Sequence, residues 1–172
     1  YLDAKLKLSL INEDLYDESF YKTELNRPRN FLSSAKIKYY YAANELQKGN
    51  TAFASLLFKE ALKLNQNDDK LNEKVYEQLY SLNLSDKKYL IANNYLDSLM
   101  NLLDNQSKKY FILSKKREKL NIVSELEKEN NLIDSLFYLS TLKEEDLYKK
   151  LYVENVNKLI TSDQSKKQNR LV

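Results

Sequence analysis

An all-α fold is what this sequence predicts, and three observations carry the prediction. Its 172 residues include one Gly and one Pro, whereas compact β proteins use both freely in turns. Apolar side chains recur about one helical turn apart through most of the chain. One stretch, Ala35 to Asp68, alternates small Ala42, Ala54 and Ala61 with large Tyr41, Phe58 and Leu62 around the lone glycine, Gly49. That spacing describes two antiparallel helices that touch at alanines and lock through aromatics.

Residues 1–25 hold two short apolar patterns. Leu2, Leu6, Leu10 and Ile11 lie about a turn apart, Asn12-Glu13-Asp14 is polar enough to turn the chain, and Leu15, Tyr16, Phe20, Tyr21 and Leu25 form a second helix. Asn26–Asn30 (NRPRN) breaks the run, because Pro28 has no amide hydrogen and holds Arg27 out of the helical region. A helix over 33–48 ends at Gly49, whose left-handed freedom suits a C-terminus. Asn50 or Thr51 caps the next helix, which ends near Asn65. A third helix follows to about Ser81, Asn83–Asp86 breaks it, and a fourth spans roughly 86–103. With Ser107 as cap, one long helix then runs to about Tyr138, Asn130-Asn131 being the place for a kink. Thr141-Leu142-Lys143-Glu144 reads as a capping box opening a final helix over 142–160. Ser162–Arg170 has little to bury and reads as a frayed tail. The expected organisation is helical repeats over 1–103, a long helix plus C-terminal helical cap over 104–161, and a tail over 162–172.

Composition narrows the chemistry. Without Cys there is no disulfide, thiol nucleophile or Cys-based metal site. Without His the commonest general base and transition-metal ligand are gone. No cofactor, no metal and no catalytic residue are expected. The 28 basic and 25 acidic residues are interspersed, so the net charge of +3 gives only a weak global field. Apolar runs are far shorter than the ~20 residues a membrane span needs. The chain begins at Tyr1, which reads as a processed chain or a fragment.

Three groups of residues invite a chemical reading and have a plainer one. Asp68-Asp69 and Glu144-Glu145 sit at expected helix starts, where acids cap amides and complement the dipole. Asp97-Ser98 and Asp134-Ser135 lack a general base, so local backbone bonds and helix contacts account for them. Lys108, Lys109, Lys115, Lys116, Arg117 and Lys119 form the one basic segment, with Tyr110 and Phe111 interleaved. On a helix these charges wrap around the axis, and Glu118, Glu125, Glu127 and Glu129 reverse the sign, so nucleic acid is not the expected partner.

The Ala35–Asp68 pattern resembles the tetratricopeptide repeat (TPR), a helix hairpin of about 34 residues. Ala42, Gly49, Ala54, Phe58 and Ala61 match its small, turn and aromatic positions; Lys38 stands where an aromatic is usual, and Gln66 where proline usually ends the repeat. A looser copy follows, with Tyr76, Leu79, Tyr80 and Leu82 in its first helix, Tyr89 at the turn, and Ala92, Leu96 and Leu99 in its second. The resemblance implies a solenoid whose concave groove is the partner surface. Inner positions would be Lys36, Tyr39 and Ala43, with Leu46 below, then Lys70, Glu73, Glu77 and Tyr80.

Residues 91–151 carry a narrower resemblance. Ala92, Tyr95, Asp97-Ser98, Tyr110, Leu120, Asp134-Ser135-Leu136, Leu139-Ser140 and Glu144-Glu145 stand in an order similar to the large TPR lipoproteins of the Bacteroidota type IX secretion and gliding-motility machinery, the SprE/PorW type. That resemblance implies a non-enzymatic scaffold among secretion components. It would face the periplasm from the outer membrane, held by an N-terminal lipid outside this sequence. Two rivals stand beside it: a free-standing, cytoplasmic TPR adaptor that binds a peptide in an open groove, and a carboxylate-dependent enzyme.

Overall fold

The computed structural model describes residues 1–11, 16–65, 67–150 and 152. Every regular element among them is helical: α1 (Leu2–Leu8), α2 (Glu18–Leu25), a 3-10 helix (Pro28–Ser33), α3 (Ser34–Gln47), α4 (Thr51–Leu64), α5 (Asp69–Ser85), α6 (Tyr89–Asn101) and α7 (Lys108–Ser140). Residues 144–150 are helical again. The expected turn at 12–14 with Leu15, the Gln66 position, the remainder of the final helix and the tail lie outside the described residues. The chain forms two compact units, Tyr1–Glu127 and Lys128–Val172.

In the first unit α3 and α4 pair along their length, α5 and α6 do the same, and α4 packs on α5. Ala42, Ala54, Phe58 and Ala61 are all fully buried, so the alanines set helix spacing and the ring fills the space beside them. Lys38, at the usual aromatic position, reaches Glu60 of α4 at 2.6 Å instead. Ile37, Leu57, Val75 and Leu79 complete this core. The Tyr21 ring of α2 stacks on Tyr41 at 4.6 Å.

Polar side chains fasten α1 and α2 to this core. Tyr21 donates its hydroxyl to Ser9 Oγ, and Ser9 donates to the Leu6 carbonyl, both at 2.7 Å. Asn44 of α3 donates to the Ser9 carbonyl at 3.1 Å. Pro28 does break the helical run, with Arg27 extended before it, and then serves as the first turn of the 3-10 helix. Buried Glu24 ties this corner together, accepting from Arg27 at 2.6 Å and from Asn30 at 2.7 Å.

Both hairpin turns close in the same way. Gly49 has φ +84° and Lys87 has φ +60°. In the first turn the Asn50 amide donates back to Glu45, and in the second Lys88 donates back to Asn83, each at 2.9 Å. These are helix C-termini closed by a left-handed residue.

Three expectations need correction. Asn50 holds the N-cap position of α4 without a side-chain cap; its amide goes to Glu45 at 2.7 Å. The break expected at Asn83–Asp86 comes a turn later, because buried Asn83 stays helical and donates to the Leu79 carbonyl at 2.7 Å. Thr141 does not open a capping box, since its hydroxyl donates to the Tyr138 carbonyl at 2.7 Å and closes the end of α7.

Candidate functional site

The first part of α7, within the first unit, lies on the second hairpin. Ser107 starts it by accepting from the Tyr110 amide at 3.1 Å. Leu113 and Leu120 then share a buried cluster with Tyr80, Ala92, Leu96 and Leu99. Lys109 donates to Glu73 at 2.8 Å and Glu77 at 3.0 Å on α5. Arg117 pairs with Asp97 of α6 at 2.5 Å, an ionic contact rather than an aligned hydrogen bond. Asn93 donates to Asn121 at 2.8 Å. Glu127 accepts from the Leu90 amide at 2.6 Å, capping the α6 N-terminus. As α7 advances, its partners on α6 run backwards from 97 to 90, so the two helices are antiparallel.

The seven expected groove residues divide into two sets. Lys36 is occupied by Asp3 of α1 at 2.8 Å. That bond lowers the Asp3 carboxyl below its ordinary range. Tyr39 is half-buried against Phe58 and the neighbouring Tyr40 ring, and burial pushes its hydroxyl pKa up. Ala43 is half-buried on the same core, with Leu46. Lys70 is exposed. Glu73, Glu77 and Tyr80 come together under α7. Burial alone would lower the Lys109 pKa, but its bonds to Glu73 and Glu77 outweigh that and hold it above the ordinary value.

At Asp68, Ser98 and Ser135 the plainer readings match the contacts made. Asp68 caps α5, accepting from Leu71 at 3.0 Å. Ser98 and Ser135 donate to the carbonyls of Asn94 and Asn131, one helical turn back. Among the described residues no group of three or more acidic, His or Cys side chains is placed to hold a metal. None of the described helices is long and apolar enough to cross a membrane.

The molecule carries two further apolar surfaces. The first is a groove of about 330 Å³ between α5, the start of α6 and α7. Its floor is Tyr80, Leu84, Tyr89, Leu120 and Val123, and its rim carries Lys116 and Lys119. The second belongs to the other unit, where Leu132, Ile133, Leu136 and Phe137 lie exposed on α7. In that unit Lys150 sits over the Tyr138 ring at 4.1 Å. A sequence signal for the groove did exist: Lys116, Lys119, Leu120 and Val123 are spaced to share one helix face. What hid it was that Leu84 and Tyr89 flank a turn whose position the sequence misplaces.

No protein-family model matches the chain, and neither a curated protein nor a solved structure matches it.

Proposed function

We propose that this chain is a non-enzymatic scaffold for protein–protein interaction, built as a short TPR-like solenoid. The observation that carries the reading is the repetition of one packing step. Helix α3 pairs with α4, α5 with α6, both turns close on a left-handed residue, and α7 takes the next place along the stack, antiparallel to α6. Successive first helices begin at Ser34, Asp69 and Lys108, close to the about 34-residue spacing of such repeats. Stacked hairpins expose extended surface and concentrate no chemistry, which suits docking rather than catalysis.

The biological setting rests on the resemblance of residues 91–151: a periplasm-facing component of type IX secretion and gliding motility, anchored through a lipid outside this sequence, with other secretion proteins as partners. The cytoplasmic adaptor reading asks for open access at Lys36, Tyr39 and Tyr80. Lys36 is paired and Tyr80 is buried, so the scaffold reading is the stronger. Crosslinking the tagged protein in source cells, followed by fractionation and mass spectrometry, tests it. Recovery from the envelope with secretion components is expected. Recovery only from the cytosol, with soluble partners, would overturn the setting.

A further inference from the structure

The groove over the second hairpin combines features that specify a partner. Leu84 and Val123 are over a third exposed, an apolar floor left open to water. The cations of α7 that face α5 and α6 are neutralised, Lys109 by two glutamates and Arg117 by Asp97. Lys115 lies over the Phe111 ring at 4.4 Å. Lys116 and Lys119, on the groove rim, have no acidic partner among the described residues. In the turn between α5 and α6, Asp86 is taken by Lys88 at 2.9 Å. Further along α7, Glu127 is committed to the Leu90 amide.

We propose that this groove docks an acidic, amphipathic segment of a partner protein, with an apolar anchor on Leu84, Leu120 and Val123 and flanking carboxylates on Lys116 and Lys119. Apolar burial supplies the attraction, and the uncompensated lysines select a carboxylate-bearing anchor over a neutral or basic one. The proposal rests on the scaffold reading and gives it a partner chemistry.

The test is fluorescence anisotropy of the whole chain with a labelled peptide carrying leucines at i, i+4 spacing among glutamates. Its glutamine counterpart serves as control. Saturable binding is expected, about tenfold weaker for the glutamine peptide and for the K116E/K119E protein, and weakened further by salt. Val123→Glu should abolish binding while leaving the helical signal and melting temperature of the protein unchanged. Equal binding of both peptides, or no binding, overturns the proposal. So does capture by anionic lipid vesicles, or self-association that the peptide does not compete away. If crosslinking recovers secretion proteins but the peptide does not bind, the groove assignment alone falls. If neither is seen, the scaffold reading falls with it.

Discussion

The two helix hairpins differ in how they are completed. Helices α3 and α4 meet through fully buried Ala42, Ala54, Phe58 and Ala61, with Tyr21 and Tyr41 stacked alongside. Helices α5 and α6 bury Tyr80, Ala92, Leu96 and Leu99, but their cluster is closed by Leu113 and Leu120 of α7. The first hairpin therefore meets through its own alanines and Phe58, with Val75 and Leu79 of α5 added to its core, whereas the second is closed by a helix that begins after it ends. Cutting Phe58 to Ala should separate the two most sharply. It leaves a large cavity at a site with no exposure, and a loss of about 3–5 kcal/mol is expected in denaturant unfolding. Leu120→Ala should cost less and should loosen amide-exchange protection in α5 and α6 before α3 and α4. Equal loss of protection in all four helices would show that the hairpins do not differ in this way.

Tyrosine ionisation offers a second contrast. Burial pushes the Tyr21 hydroxyl up to about 12 and the Tyr41 hydroxyl up to about 12, beside the first hairpin. Each group is protonated in both folded and unfolded chains below its ordinary value of 10.0. Above that the unfolded chain ionises first, so the contribution to stability is intact below pH 10 and is lost as pH rises towards 12. For Tyr21 the loss is on the order of 1–2 kcal/mol. Tyr21→Phe should lower stability at neutral pH by about 1 kcal/mol through the lost bond to Ser9. It should also flatten the alkaline decline, measured by urea unfolding at stepped pH. An unchanged slope would place the alkaline weakness elsewhere.

The all-helical fold was legible because its signals are local. Glycine at a turn, alanines at helix spacing and Ser107 before a periodic run each act within a few residues, and each stands where expected. The placement of Lys109 across Glu73 and Glu77 was not legible, because nothing in a basic run says which cation will meet which acid some thirty residues away. The seven groove residues follow from the geometry of isolated hairpins. Glu73, Glu77 and Tyr80 were then claimed by α7, and Lys36 by α1. The second turn was misplaced for a simpler reason. Its left-handed residue is a lysine, and lysine gives no turn signal.

That lysine supports the smallest and cleanest test. Gly49 and Lys87 hold equivalent places in the two hairpins, both with positive φ. A Cβ on Gly49 would meet nothing within 4 Å, so Gly49→Ala carries a backbone cost without a steric clash. It should destabilise by about 1 kcal/mol. Lys87 already bears that strain, and Lys87→Gly should relieve it, stabilising by about 0.5–1 kcal/mol after the added entropy of the unfolded chain is counted. Asp86 pairs with Lys88, not Lys87, so the substitution leaves that ion pair in place. Thermal melts of the two single variants and the double variant decide the matter. Opposite shifts that add would establish that the hairpins share one turn design, met with glycine in one and endured with lysine in the other. A destabilising Lys87→Gly would mean that the lysine side chain, rather than the backbone, governs the second turn.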